Sequence, residues 1–311
     1  MSSISVIIPL YNKAFSIAET LRSVLQQTYT DFEVIIIDDG STDGGLDIVS
    51  QFTDPRIQWV QQPNLGAAAA RNTGIEKATG ELIAFIDADD YWYPNHLEAL
   101  YKLQTDFPNC GLYCSRYQTK ISKNTLLTPN YSNSISENFR GVLSDYFEAS
   151  LIHRVSLTSA CAIPKKLLKN DFVFNSRVSS GQDLELFTKI GLKYPVALHN
   201  EYTVLYHFET PNSLAKTPIL EKKLMDFTQF AAAETQNKSL KKFLDLYRLE
   251  YALHFKMAGA TEKSNLYLHD IATKIPFKTK LLLGTPSFIL RFLLTLKQQL
   301  KKIGIDFSVY H

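Results

Sequence analysis

The 311-residue chain has only three cysteines, Cys110, Cys114 and Cys161. An odd count with no spacing typical of a zinc site argues against both a disulfide framework and a cysteine-held metal. They read as reduced packing residues of a cytosolic protein. The opening stretch Met1-Ser2-Ser3-Ile4-Ser5-Val6-Ile7-Ile8-Pro9 has no basic n-region and passes straight into a strand pattern, unlike a signal peptide. No apolar run approaches the ~20 residues a membrane-spanning helix needs. An excess of one charge is lacking too. Lys and Arg number 33 against 31 Asp and Glu, for a net charge of +2. Bulk charge therefore names no partner, and the basic excess of a nucleic-acid binder is missing. Internal repeats and low-complexity tracts are absent.

What is present fits a globular protein with an ordinary core, 45% hydrophobic and 21% charged. Ser5 to Pro9 reads as a buried strand, and Phe32 to Ile37 is an apolar, Ile-rich run but for Glu33, as expected of a parallel strand covered on both faces. Between them Ser16-Ile17-Ala18-Glu19 predicts a capping box, followed by an apolar helical face of Ile17, Leu21, Val24 and Leu25. Further strands are predicted at Ile57 to Val60, Glu81 to Ile86, Leu112 to Tyr117 and Thr158 to Ile163. Two more are predicted at Val196 to Ala197 and Tyr202 to Phe208. Helices are predicted from the Asp38–Asp43 turn to about Phe52, over Ala67 to Ala78, from Pro94 to about Asp106, and over Gln182 to Leu192. Lys120 to Asn138 dissolves into Ser, Thr and Asn and reads as a loop. Beyond Pro218 the pattern is helical. The β-α-β-α order predicts an α/β fold with a doubly wound, mostly parallel sheet.

Such sheets bind ligands outside the carboxyl ends of their strands. Two acidic clusters fall there: Asp38-Asp39 after the second strand, and Asp87, Asp89 and Asp90 after the fourth. Carboxylates gathered in one place repel each other and suit a hard divalent ion that also takes phosphate oxygens from a substrate. The plain alternative is that they cap the helices that follow. Along an extended strand end, Asp87 and Asp89 would point to one side.

The ordered set Ser5-Val6-Ile7-Ile8-Pro9-Leu10-Tyr11-Asn12, Asp38-Asp39-Gly40-Ser41-Thr42-Asp43, Gly66 to Arg71-Asn72, and Asp87-Ala88-Asp89-Asp90 resembles glycosyltransferase family 2. The resemblance is dense from Ser5 to about Tyr117 and thins to scattered anchor points by Ser213. It implies a GT-A fold and an inverting transfer of one sugar from a nucleotide-diphosphate sugar. The acceptor would be a glycan or lipid-linked molecule, in surface polysaccharide biosynthesis. Pro9 and Tyr11 are implied to contact the base or ribose. Asp39 is implied to bind the base, and a carboxylate accepting from a pyrimidine N3–H suits a uridine donor. Arg71 is implied near the diphosphate. Asp87 and Asp89 match the Asp-x-Asp motif, toward ribose and metal respectively, with Mg²⁺ or Mn²⁺ as cofactor. Asp183, in Gly181-Gln182-Asp183-Leu184-Glu185-Leu186, takes the place of the general base, although Gln182 stands where the family often has an acid. His207 resembles a late histidine that joins the metal or the diphosphate, with Asn212-Ser213 following. The Gln-x-x-Arg-Trp motif of processive synthases is missing, and Leu10-Tyr11-Asn12-Lys13 replaces the Gly-rich, Arg-containing loop of sugar nucleotidyltransferases. A non-catalytic nucleotide-sugar binder on the same fold is the other alternative.

These features divide the chain into a nucleotide-sugar half (1–117), an acceptor and base half (118–215) and a helical C-terminal extension (216–311). Between Asp270 and Asp306 there is no acid, but Lys274, Lys278, Lys280, Arg291, Lys297, Lys301 and Lys302 all occur. A helix from Ser287 to Ile303 would gather Ile289, Phe292, Leu293, Leu296, Leu300 and Ile303 on one side. Arg291, Thr295, Gln298 and Lys302 would lie on the other. Such a helix either lies on an anionic membrane surface or packs on the domain with its basic face in water. The expected location is cytoplasmic, with a peripheral place at the inner membrane face if the first holds.

Overall fold

The computed structural model describes residues 3–122, 125–131, 135–208 and 217–302. The first half contains β1 (Ile4–Leu10), α1 (Ile17–Leu25), β2 (Phe32–Asp38), α2 (Gly45–Val49), β3 (Ile57–Gln61), α3 (Ala67–Lys77), β4 (Leu82–Phe85), β5 (Tyr91–Trp92), α4 (His96–Asp106) and β6 (Leu112–Ser122). There follow β7 (Thr125–Leu127), β8 (Arg140–Val142), α5 (Tyr146–Ala149), β9 (Cys161–Pro164), α6 (Gln182–Lys193) and β10 (Val196–His207). The chain then turns helical, through α7 (Ala231–Gln236), α8 (Lys238–Met257), α9 (Thr261–His269), α10 (Phe277–Gly284) and α11 (Ser287–Lys302).

The strands form one sheet in the order β3-β2-β1-β4-β9-β6-β10-β5, with β7 on β6 and β8 on β10. β1 to β4 are parallel, as are β6 and β10, while β9 lies antiparallel between the two groups. Alternate residues of β1 feed opposite faces, which is why the run is apolar but for Ser5, whose hydroxyl donates to Glu33 (2.6 Å). Ile4, Val6, Ile8 and Leu10 pack with Leu21 of α1 and Leu97 and Leu100 of α4. Ile7 belongs to the other layer, with Ile75 of α3, Phe187 of α6 and Phe243 of α8. Full burial of each such side chain stabilises by about 1.5–3 kcal/mol. Cys110, Cys114 and Cys161 are buried and free, as packing residues.

Several expectations need correction. Ser16 makes no cap bond to its helix; its hydroxyl is spent on a distant carbonyl described below. The helix after Asp43 is short and stops at Val49. Within Lys120–Asn138, β6 runs on to Ser122 and turns back as β7. Thr158–Ala160 is a 3-10 turn, and strand pairing starts only at Cys161. The two late strands are one strand, β10, whose register against β6 shifts between His199 and Tyr202 and again before Val204. These bulges let the polar His199-Asn200-Glu201 stretch pass without ending the pairing. Asn212, Ser213 and Ile303 lie outside the described residues.

Among the described residues no helix is long and apolar enough to cross a membrane. α11 packs against α8 and β6, but not by its most apolar side: Leu290 is buried while Phe288, Ile289, Phe292, Leu293 and Leu296 are exposed. The helix thus packs on the body with Arg291 in water, as one of the two expectations had it, but leaves a large apolar surface exposed as well.

Candidate active site

From β1 the sheet grows in two directions, to β2 and β3 on one side and to β4 on the other. The crevice outside the carboxyl ends at such a reversal is where open α/β sheets take ligands. Tyr11-Asn12-Lys13 enters it from β1, and Asp87-Ala88-Asp89-Asp90 from β4.

Polar side chains tie these loops together. The Asn12 N–H donates to Ser41 Oγ (3.1 Å), and Asn12 Oδ1 accepts from the Thr42 N–H (2.8 Å). Ser16 Oγ donates to the Ala88 carbonyl, and Thr20 Oγ1 to the Asp90 carbonyl, each at 2.8 Å. Pro9 lies one residue from the end of β1. Tyr11 follows the strand and is 43% exposed.

Asp39 is buried, and its oxygens accept from Gln62 Nε2 (2.7 Å), the Leu65 N–H (2.9 Å) and the Gly66 N–H (2.8 Å). Gly66 has φ +89°, a conformation that strains any residue with a Cβ. It also begins α3, which carries Arg71. A carboxylate offers about four acceptor positions, so one remains on Asp39.

The acidic loop differs from the extended strand end expected. β4 ends at Phe85, and the Asp90 N–H closes a turn onto the Asp87 carbonyl (3.0 Å). Each acid has its own counterweight. Asp87 pairs with Arg71 and Asp89 with Lys13, both at 2.5 Å. Arg71 is buried over the Phe174 ring, 5.3 Å from its centroid, and its Nε has no hydrogen-bond partner among the described residues. Asp90 is buried, with one oxygen bonded to Ser159 Oγ (2.5 Å) and the other accepting from the His207 N–H (3.0 Å). Burial first, then the charges of Asp87 and Asp89, push its carboxyl well above the usual range. Asp90 thus serves to hold the loop.

The structure brings His207 to this cluster. Its Nδ1 lies 2.5 Å from the Asp89 carbonyl oxygen. A carbonyl only accepts, so Nδ1 carries the proton, and in the neutral ring Nε2 is left as the lone pair. That is the tautomer of a metal-ligating histidine. Among the described residues no three His, Cys, Asp or Glu side chains are grouped to hold a metal by themselves. His207 meets Asp89 through its backbone carbonyl while the Asp89 carboxylate pairs with Lys13, so a hard divalent ion here would need substrate phosphates and water to complete its shell.

Asp183 stands in the first turn of α6, after Gly181 at φ +92°. It forms an ion pair with Arg154. Burial alone would raise its pKa. The Arg154 charge and hydrogen bond, the Leu184 N–H and the nearby charge of Arg71 outweigh this and hold the carboxyl below its ordinary value. Since Arg71 is also the partner of Asp87, Asp183 and the acidic loop share one electrostatic environment. Lys13, Arg154 and Ser159 were not among the residues the sequence singled out. Lys13 had a signal, a cation directly after the Tyr-Asn turn; Arg154 and Ser159 sit in segments without a motif.

This sheet with its strand-end acidic loop defines a GT-A-type glycosyltransferase fold. Staphylococcus aureus TarS (1–349), solved in complex with UDP-GlcNAc, superposes with a TM-score of 0.60 at 19% identity, over 88% of this chain and 94% of TarS. The mannosyltransferase PcManGT from Pyrobaculum calidifontis, in complex with GDP-Man and Mn²⁺, gives a TM-score of 0.56 at 22% identity, over 97% of this chain and 87% of that one. Residues 5–156 match the model of Glycosyl transferase family 2. An uncharacterized glycosyltransferase of Rickettsia felis is 33% identical over 62% of this chain and 31% of its own length. The putative teichuronic acid biosynthesis glycosyltransferase TuaG of Bacillus subtilis is 47% identical over 30% of this chain and 39% of its own length. The chain thus spans about a third of the length of these curated relatives.

Proposed function

We propose that this protein transfers a single sugar, with inversion, from a uridine-diphosphate sugar to a glycan or lipid-linked acceptor in surface polysaccharide synthesis. The observation that carries the reading is the convergence of three elements on one crevice: Asp39 with one free acceptor position, the Arg71–Asp87 and Lys13–Asp89 pairs, and Asp183 under the influence of Arg71. The UDP-GlcNAc complex of TarS and the name of TuaG support the donor and pathway class. In this reading residues 1–117 hold the donor, 118–215 the acceptor and base, and 216–311 form the helical extension.

The chemistry follows from the residues. Tyr11 offers its exposed face to the base, and Pro9 shapes the turn beneath it. Asp39 accepts from the uracil N3–H. Arg71 brings positive charge toward the diphosphate, and Asp87 accepts from ribose. The Asp183 carboxylate takes the proton of the acceptor hydroxyl as that oxygen bonds to the anomeric carbon. The bond from that carbon to the diphosphate oxygen breaks on the opposite side, and the nucleoside diphosphate leaves. Asp89 and His207 would hold a Mg²⁺ or Mn²⁺, which would supply Lewis-acid stabilisation of the leaving group.

A thermal-shift series with UDP, UDP-sugars and GDP-mannose, each with and without Mn²⁺, tests the donor assignment. UDP with Mn²⁺ is expected to raise Tm by a few degrees, because a ligand that binds only the folded state stabilises it by mass action. The rise should exceed that given by GDP-mannose. A melting temperature indifferent to every nucleotide would remove the proposal's foundation.

A further inference from the structure

Two helices late in the described chain turn large apolar side chains outward. On α10, Phe277 is 81% exposed and Leu281 65%. On α11, Phe288 and Phe292 are each 67% exposed and Leu296 45%. Residues four apart lie above one another on a helix, so each set is a continuous row. Leu290, buried against the body of the protein, fixes which side of α11 faces out. Exposed bases stand among these rows: Lys274, Lys278, Lys280 and Arg291. From Ile271 to Ile305 the sequence has seven Lys and Arg and no acid, while the whole chain carries only +2, so the remainder is net acidic.

We infer that α10 and α11 form a docking surface for an anionic lipid membrane. The Phe and Leu rows enter the boundary between headgroups and acyl chains, and the neighbouring bases meet lipid phosphates. Charge selects this occupant over a second copy of the chain. Two copies meeting through this face would bring their cations together with no acid in the segment to pair them, whereas anionic headgroups neutralise them. The inference stands apart from the transferase reading. If both hold, the docking surface keeps the enzyme at the plane where lipid-linked acceptors reside.

Flotation of the full chain with large unilamellar vesicles tests it, comparing phosphatidylcholine alone with equal parts phosphatidylcholine and phosphatidylglycerol. Binding is expected to the anionic vesicles, weakening as salt rises. Phe277→Ser with Phe292→Ser, and separately Lys278→Gln with Arg291→Gln, should each weaken it about tenfold or more. All four side chains are exposed, so circular dichroism and the nucleotide thermal shift should stay as in the parent. Failure to float with anionic vesicles at low salt overturns the inference. So does a concentration-dependent dimer in light scattering that the Phe277→Ser, Phe292→Ser variant abolishes, since the face would then belong to a second copy.

Discussion

Asp183→Asn is expected to reduce sugar transfer by about 10²–10⁴-fold, the contribution of a positioned general base, while donor affinity stays unchanged. The amide keeps the shape of the side chain but cannot take a proton from the acceptor hydroxyl. It also leaves Arg154 without its anionic partner. Severing a fully buried pair costs about 3–5 kcal/mol; here both side chains keep some exposure, 18% and 23%, so the loss should be smaller. Melting and UDP binding of the variant separate lost chemistry from lost fold. The pH profile distinguishes the role further. Burial raises the Asp183 pKa, but Arg154, the Leu184 N–H and the charge of Arg71 together outweigh it and hold it low. In the proposed role the Asp183 carboxylate is therefore ready to accept a proton at neutral pH, and the acid limb of kcat/KM should lie below the ordinary carboxylate value of about 4. Arg154→Gln removes the strongest opposing influence, leaves burial dominant, and should move that limb upward. Full transfer by Asp183→Asn, or an unmoved limb in Arg154→Gln, would sink the assignment.

The second large effect concerns stability in acid. His96 opens α4, fully buried, with its ring 4.3 Å from that of Trp92. Its Nδ1 meets Thr203 Oγ1 at 2.8 Å and Ser115 Oγ at 3.3 Å, both buried hydroxyls. Burial, with a lesser push from His199, drives its pKa down to about 3. The folded protein thus keeps His96 neutral, while the unfolded chain binds a proton below about pH 6.5. The stability this provides is complete above pH 6.5 and is lost as the pH falls from there toward 3. Between pH 7.5 and pH 5 the loss from this residue alone should be about 2 kcal/mol. Urea unfolding of wild type and His96→Asn at the two pH values should show that difference as a shallower pH dependence in the variant, whatever its stability at neutral pH. Equal slopes would refute it.

The readable parts of the molecule were those where burial dictates sequence directly. β1, β2 and β4 are apolar at nearly every position, Ser5, Glu33 and Asp38 excepted, so their extent could be read to within a residue or two. Asp87 to Asp90 stood out because three acids in four residues after a buried strand have nowhere to lie but the strand end. Tertiary contacts decided the rest. Ser16 has the local sequence of a helix cap, yet the Ala88 carbonyl takes its hydroxyl from 72 residues away. β10 was broken in two by polar residues that a bulge accommodates. Tyr91–Trp92 and Arg140–Val142 are too short to show a period. Arg154 carries no local pattern at all; its partner Asp183 is 29 residues downstream and is met only through folding.

Asp90 obtains its two hydrogen-bond partners from Ser159 and His207, 69 and 117 residues further along the chain. The family segment ends at residue 156, before either of them and before Asp183. During synthesis, then, the strand that carries the acidic loop emerges long before anything that holds it in place. The buried acid has neither partner, and β4 lacks its antiparallel neighbour, until β9 and then β10 have been made and paired. Contacts of such long sequence separation form late and together. The N-terminal half of the sheet is therefore built first but finished last, and the strand that ends in His207 is what closes it.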